Sequence, residues 1–275
     1  MEAVTSLDLI IAIVAGLAIG FSMGTVGGGG AILAVPVLVY GLGQSPLQAT
    51  TGSLVVVGAT AVLGALLAHR AGRLNLGQGA VFGLAAIVGS SLGAIAAHWV
   101  PAEVLMGCFA VLMLLVAVNM VRRIVATPHP AAARPVSPVW VEGRVDWPQA
   151  LKVVAVATVV GFLTGFLGVG GGFMIVPALT LFLGVEMRKA AGTSLMVIAI
   201  SSASALVTRL VSAPGQVQPD WPSIGVLGGL AVVGLLLGSA VANRANNRQL
   251  AIGFAVLVCG VAVFTAVQAF PALLG

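Results

Sequence analysis

Residues 20–36 read Gly-Phe-Ser-Met-Gly-Thr-Val-Gly-Gly-Gly-Gly-Ala-Ile-Leu-Ala-Val-Pro, and residues 161–177 read Gly-Phe-Leu-Thr-Gly-Phe-Leu-Gly-Val-Gly-Gly-Gly-Phe-Met-Ile-Val-Pro. The stretches are 141 residues apart (161 minus 20), and five glycines and a proline recur at that offset: Gly20, Gly24, Gly27, Gly29, Gly30 and Pro36. Each glycine inside a helix costs about 1 kcal/mol relative to alanine. We therefore expect each glycine run to interrupt the helix formed by the apolar residues on either side of it. The chain is therefore one unit written twice, with a broken helix in each copy.

The composition is that of a membrane protein. Of the 275 residues, 60% are hydrophobic and 7% are charged, and the mean hydropathy is +1.17. A soluble domain carries roughly a quarter charged residues, so we predict an integral membrane protein. The net charge of +5 then reflects membrane topology and does not indicate nucleic-acid binding. Cys108 and Cys259 lie in separate apolar segments without metal-ligand spacing, which predicts neither a disulfide nor a metal site.

Apolar segments divide the chain into two repeats. They cover 7–26, 31–42, 47–68, 76–97 and 102–121, then 149–167, 173–184, 190–210, 222–242 and 249–270. Crossing a bilayer takes about 20 residues, so the short segments 31–42 and 173–184 each close a re-entrant hairpin tipped by glycines. We predict an all-α membrane protein with a first repeat over 1–121, a polar, proline-rich cytoplasmic linker over 122–147 and a second repeat over 148–275. Each repeat holds three full transmembrane helices and one glycine-tipped hairpin.

The basic residues predict the orientation of the repeats. Three spans per repeat is an odd number, so the second repeat is inverted relative to the first. With both termini outside, eleven of the twelve basic residues fall on the cytoplasmic side, and only Arg209 falls outside. An arrangement with equally oriented repeats places eight inside and four outside. Hairpins that cross the bilayer completely give the same parity, so this count leaves both hairpin forms open.

Two inverted hairpins predict an anion site where their tips meet near the bilayer midplane. The first N–H groups of a helix lack partners and carry about half a positive charge, and glycine lets a ligand approach them closely. The candidate backbone positions are Gly27, Gly28, Gly29, Gly30, Gly168, Gly170, Gly171 and Gly172, and the candidate hydroxyls are Thr25, Thr50, Thr51, Ser53, Thr193 and Ser194. Two alternatives stay open for these candidates: glycines can serve close helix packing, and hydroxyls can bond to their own helix. For the spaced glycines outside the runs we expect close helix packing, namely at Gly16, Gly20, Gly24, Gly161 and Gly165.

Acidic residues lie only at segment ends or in loops, so no carboxylate occupies the middle of a span. Carriers coupled to protons or sodium usually keep an ionisable group there. The simplest driving force is then the membrane potential, which expels anions from a cell with a negative interior. Arg209 is a candidate anion contact at the outer mouth, or it reaches from its helix end to the interface. The open alternatives are an anion channel, a proton-coupled uptake carrier and a structural membrane subunit.

The doubled motifs resemble the TauE/SafE sulfite-exporter family. The matching features are Gly27–Gly30 with Pro36, Gly170–Gly172 with Pro177, Ala191-Gly-Thr-Ser194, and the turn from Gly215 to Trp221. The first-copy counterpart, Gln48-Ala-Thr-Thr-Gly-Ser53, departs from the second-copy motif. The resemblance covers about residues 8–270 and implies a bacterial inner-membrane transporter of sulfite, sulfonates or related organic anions.

We therefore expect an exporter of small sulfur-containing or organic anions. Its expected partners are the anionic substrate and membrane lipid, without nucleic acid, catalytic residues, cofactor or metal. The oligomeric state is open, with a homodimer as one option.

Overall fold

The computed structural model describes residues 6–44, 46–97, 99–100, 108, 111–112, 114–122, 140–141, 144–145, 147–167, 172–212 and 221–274. The helices of the first copy are α1 (Ser6–Val26), α2 (Gly29–Pro36), α3 (Pro46–Arg70), α4 (Leu76–Ala97) and α5, whose residues 114–122 are described. Those of the second copy are α6 (Trp147–Leu167), α7 (Gly172–Pro177), α8 (Met187–Ser212), α9 (Trp221–Arg244) and α10 (Asn247–Leu274).

The predicted segments agree with these helices to within a few residues. The segment predicted over 76–97 has the same bounds as α4, and the segment predicted over 190–210 lies inside α8. The segment predicted over 102–121 is described only in part. Inside the predicted linker, the two-residue strands Trp140–Val141 and Arg144–Val145 pair antiparallel, and most of the remaining linker lies outside the described residues.

The first hairpin turns at Gly27, whose φ of +80° lies in the left-handed region that favours glycine. Beyond the turn, α2 runs back along α1: Gly30 lies against the carbonyl of Ile19, and Gly41 lies against Ile11. In both copies the short helix ends at a proline and continues as a π-helical turn, Val37–Gly41 and Ala178–Phe182. Proline has no N–H to donate and its ring crowds the carbonyl one turn earlier, so it interrupts the regular α-helical hydrogen bonds of this stretch.

Glycines of α1 let this helix lie directly on α9. A Cβ on Gly20 would overlap the backbone carbonyl of Ala231, and one on Gly24 would overlap the carbonyl of Leu235. Because the residue numbers rise together along the contact, the two helices are parallel. The packing role expected for these glycines is confirmed.

The second copy repeats this arrangement with α6 and α4. Gly161 lies against the carbonyl of Ala86, and Gly165 lies against the carbonyl of Ser90. Here too the helices are parallel, and the first helix of one copy packs on the fourth helix of the other. Each copy therefore supplies half of both helix pairs, and neither copy forms a separate layer.

The central pair is α3 with α8, the corresponding helices of the two copies. A Cβ on Gly58 would lie 3.1 Å from the Cβ of Ser202, and one on Gly64 would lie 2.9 Å from Cδ1 of Leu195. The residue number falls along α8 as it rises along α3, so the two helices are antiparallel.

Five of the described helices are long and apolar enough to cross a membrane, and shorter apolar stretches cover Ile10–Val26 and Asn247–Val263. The five include Trp147–Phe166, so the first arm of the second hairpin has spanning length. Large apolar side chains face outward, among them Val88 (60% exposed) and Val256 (67% exposed). Lipid would cover these faces in a multi-pass membrane protein.

Candidate functional site

The starts of the two short helices contact each other. A Cβ on Gly172, the first residue of α7, would lie 2.9 Å from the Cβ of Ala31 and 3.1 Å from the carbonyl oxygen of Gly28. Ala31 and Gly172 are separated by the repeat offset of 141 residues, so they hold corresponding positions in the two copies. The structure thus brings together the start of α2 and the start of α7.

The N-terminus of α2 has no side-chain cap. Gly28 is its N-cap residue and makes no side-chain hydrogen bond to the helix, because glycine has no side chain to offer. Residues 27–30 are all buried. The first N–H groups of α2 therefore sit in the protein interior without the usual Ser, Thr, Asp or Asn partner.

The tip of the first hairpin packs on the second copy. A Cβ on Gly27 would overlap Oγ of Ser194 and lie 2.5 Å from the carbonyl oxygen of Ala191. Two candidate site residues from opposite copies therefore lie together at this tip. The contact is too close for any larger residue at position 27, so the same glycine also serves packing.

Hydrogen bonds decide which hydroxyls have a proton to offer. The Ser194 hydroxyl donates to the carbonyl of Ala191 at 2.8 Å, and the Thr25 hydroxyl donates to the carbonyl of Phe21 at 2.9 Å. Each hydroxyl has only one proton, so in this arrangement neither proton is available to an anion. This is the own-helix bonding that the sequence left open.

Thr193 differs from these two. It is fully buried, and its Oγ1 accepts a hydrogen bond from the backbone N–H of Asn75 at 3.2 Å. An accepting hydroxyl keeps its own proton for donation. Thr51 and Ser53 are also buried in α3, and both take part in further interactions.

The remaining candidates are described in part or not at all. Gly168, Gly170 and Gly171 lie outside the described residues. Arg209 belongs to the last turns of α8, and its side chain lies outside the described part of the structure.

Ser22 was not a candidate from sequence, yet it faces this region. Its hydroxyl oxygen is buried and has no hydrogen-bond partner among the residues that the structure describes, and a Cβ on Gly29 would lie 2.9 Å from it. Ser22 lines a cavity of about 690 Å³ between α1, α2, α9 and α10, which also contacts Arg244 and Gln249. A hydroxyl residue about one turn before the glycine run could have been recognised as a candidate from the sequence. The comparison of the two copies did not single it out, because the second copy has Leu163 at the corresponding position.

The crossing helices, the broken hairpins and the buried junction between them define a multi-pass membrane protein of the transporter class. The family described as "Sulfite exporter TauE/SafE" matches residues 12–265, and the chain belongs to this family.

Named relatives support the transporter class. A "Probable membrane transporter protein" of Xylella fastidiosa (strain 9a5c) is 31% identical over 272 residues, covering 97% of this chain and 98% of the relative. The "Probable membrane transporter protein YunE" of Bacillus subtilis (strain 168) is 28% identical over 255 residues, covering 89% of this chain and 92% of the relative. No solved structure matches the chain.

Proposed function

We propose that the protein exports small sulfur-containing or organic anions, such as sulfite or a sulfonate, across the bacterial inner membrane. The anion binds at the glycine tips, where the starts of α2 and α7 meet. The observation that carries this proposal is the contact of Gly172 with Ala31 and Gly28, next to a buried helix N-terminus without a side-chain cap. Backbone N–H groups and the helix dipole make such a place favourable for negative charge.

The two copies act as inverted repeats in this proposal. The antiparallel course of α3 and α8 supports it, because these helices correspond in the two copies. So does the repeated pairing of α1 with α9 and of α6 with α4. Inverted repeats let one site face either side of the membrane in turn, which is the usual basis of alternating access. We place both termini outside and the linker in the cytoplasm.

In our proposal the hydroxyl groups of Ser22 and Thr193 donate hydrogen bonds to the anion. The walls of the anion site are formed by Thr25, Thr51, Ser53 and Ser194. Within the described part of the chain, the Ser22 hydroxyl has no hydrogen-bond partner, and Thr193 accepts a hydrogen bond in its described interaction. A buried donor without a partner is costly, and an anionic ligand would offset that cost. The membrane potential supplies about 2.3 kcal/mol per charge per 100 mV in the outward direction.

The burial of residues 27–30 favours a carrier over a channel, because access to a closed tip requires a conformational step. The test is transport by purified protein in liposomes, with sulfite, thiosulfate, short sulfonates and short carboxylates as substrates. A carrier gives saturable flux and accelerated exchange when the same anion is present on both sides. Linear flux without exchange would identify the channel, and acceleration by an inward proton gradient would identify the coupled uptake carrier.

A variant pair separates transport from a structural role. Gly29→Leu places a side chain against Ser22 and Leu257, whereas nothing lies within 4 Å of a Cβ on the exposed Gly260. We expect Gly29→Leu to abolish flux and Gly260→Leu to leave it unchanged. Equal flux in both variants would contradict the proposed site and favour a structural subunit.

A further inference from the structure

Three buried N–H donors without partners among the described residues lie in the turn between α3 and α4, at the start of α4 and at the start of α8. They are Nε of Arg73, Nε2 of Gln78 and Nε of Arg188, and none has a hydrogen-bond partner within the described residues. Gln78 is only 4% exposed. All three atoms are hydrogen-bond donors, so each needs an acceptor. A negatively charged acceptor forms the strongest hydrogen bonds with such donors.

Contacts between the elements hold these donors in one region. The carbonyl oxygen of Arg73 lies against Gly192 of α8, at 2.6 Å from a Cβ built there. The N–H of Asn75 donates to Thr193, and the side chains of Asn75 and Gln78 bond to each other. The turn is thereby fastened to the first two turns of α8.

Arg188 joins the same region from the other side. Its side chain donates to the carbonyl of Ala245, and its backbone N–H donates to the side chain of Asn247, both at the turn between α9 and α10. The Nε atom of Arg188 has no hydrogen-bond partner among the described residues. The arginine is therefore anchored by one end of its guanidinium group and has donor capacity to spare.

The electrostatics favour a negative ligand. Burial lowers the pKa of Arg73, and the positive charge of Arg188 lowers it further. Across the described ranges, neither arginine forms an ion pair with a carboxylate, and the neighbouring Glu186 is exposed. Two partly buried cations without a counter-charge are unfavourable on their own, and an anion between them removes the penalty.

A narrow cleft leads from this cluster to the first hairpin. Arg73 and Gly192 line one end of it, and Gly24 and Ala191 line it as well. The carbonyl of Ala191 is also the atom that lies against Gly27. The cleft therefore extends from Arg73 to Gly24 and Ala191, the latter of which contacts the glycine tip.

The turn that carries Arg73 is charged in only one of the two copies. The turn Gly72-Arg-Leu-Asn corresponds to Gly215-Gln-Val-Gln, so Gln216 stands where Arg73 stands in the first copy. The positive inside distribution places the Arg73 turn at the cytoplasmic end. An exporter benefits from anion capture on that side, because steering by positive charge raises the rate of encounter.

We propose that Arg73, Arg188 and Gln78 form an oxyanion-binding site at the cytoplasmic end of this cleft, separate from the glycine tips. The ligand is a small oxyanion with several acceptor oxygens, such as sulfite, a sulfonate or phosphate. Its role in loading the exporter rests on the proposed function, whereas the binding itself does not. A lipid headgroup phosphate has the same chemistry, and the experiment separates the two sources.

The experiment measures equilibrium binding of radiolabelled sulfite to the full-length protein in nanodiscs of phosphatidylcholine alone. We expect Arg73→Gln and Arg188→Gln each to weaken binding by about tenfold, the effect of losing one charge-assisted hydrogen bond. Matched controls are Arg70→Gln and Lys189→Gln, whose side chains are exposed at the same helix ends. Binding by the control variants should stay within about twofold of the wild type.

Wild-type affinity in both arginine variants would overturn the inference. If Arg73→Gln does not yield folded protein, Arg73→Lys keeps the charge but loses the planar fork, and we expect it to bind about threefold more weakly. Unchanged binding by that variant overturns the inference equally.

A second arm adds phosphatidylglycerol to the nanodiscs. Sulfite affinity independent of this lipid supports a site for a free anion. Competition by the lipid that disappears in Arg73→Gln would assign the site to a headgroup and overturn its loading role.

Flux distinguishes this inference from the proposed function. If the wild type moves no anion in liposomes while Arg73→Gln still weakens sulfite binding, the export proposal fails and the oxyanion site stands. If flux is normal and binding ignores both arginines, the site fails and the export proposal stands.

Discussion

The Cβ of Ala31 lies 2.9 Å from the place that a Cβ on Gly172 would occupy, and these residues correspond in the two copies of the repeat. In the inverted repeat that we propose, corresponding residues of the two copies meet only beside the axis that relates the copies. The contact therefore fits a site at the centre of that arrangement, where the starts of both broken helices meet.

This contact predicts a cross-link between the copies. Ala31→Cys with Gly172→Cys, in a protein whose Cys108 and Cys259 are replaced by alanine, should form a disulfide or mercury bridge on oxidation or metal addition, after the two Cβ atoms move apart from 2.9 Å to the roughly 3.8 Å of a relaxed disulfide. After cleavage at a protease site inserted in the linker, the two halves should stay joined on a non-reducing gel. The pair Ala31→Cys with Gly229→Cys is the control, because nothing lies within 4 Å of a Cβ at Gly229. Separation of the halves in the first pair would contradict the central contact.

Gly27 should tolerate no side chain. Its φ is +80°, and a Cβ would overlap Ser194, so Gly27→Ala should lower the free energy of unfolding by about 2 kcal/mol or more. The exposed helical Gly229 is the matched position, where alanine should be neutral or stabilising by up to about 1 kcal/mol. Thermal unfolding in detergent measures both. Equal melting temperatures would show that the turn is not constrained.

Ser22→Ala should separate binding from stability. The Ser22 oxygen is buried and no described residue forms a hydrogen bond with it, so its removal should leave the melting temperature unchanged or slightly higher. If the hydroxyl donates to the transported anion, KM for sulfite exchange should rise about 3–10-fold. Ser91→Ala is the control, because the Ser91 hydroxyl donates to the carbonyl of Ile87 on an exposed face. An unchanged KM in Ser22→Ala would remove this residue from the site.

Arg73→Gln should stabilise the protein when no oxyanion is present. Folding lowers the pKa of Arg73, mainly through burial and also through the charge of Arg188. A lowered pKa means that the folded state disfavours the charged form of the arginine. The penalty is fully present at every pH below that pKa, including neutral pH. We expect the variant to melt about 2 °C higher in Tris–chloride buffer, which contains no oxyanion. Sulfite should raise the melting temperature of the wild type by more than that of the variant at the same concentration, because the variant binds it more weakly. A lower melting temperature for the variant would indicate that Arg73 is structurally bonded.

The orientation predicts opposite labelling of two exposed residues. Lys189 lies at the start of α8 and Trp221 lies at the start of α9. With the termini outside, an impermeant maleimide added to cells lacking an outer membrane should label Trp221→Cys and not Lys189→Cys, in a protein without other cysteines. The reverse pattern would invert the topology and with it the assignment of the Arg73 cluster to the cytoplasm.

The amino-acid sequence by itself determined the two copies, the bounds of their helices and the broken hairpins, because these depend on local features. Runs of about 20 apolar residues, glycine runs and prolines act within one stretch of chain, whatever lies beside it. The packing role of Gly20 and Gly161 also followed from spacing alone.

Only the tertiary structure decided which helices pair and which polar groups are free. That α1 lies on α9, and α6 on α4, depends on the fit of glycine surfaces far apart in the chain. The sequence made Ser194 a candidate donor to an anion, but in the structure its hydroxyl donates to the carbonyl of Ala191. The sequence used Arg73 only to assign topology, and the structure adds that its Nε is buried. Hydrogen bonding and desolvation depend on what surrounds an atom in three dimensions, and residue order does not specify those surroundings.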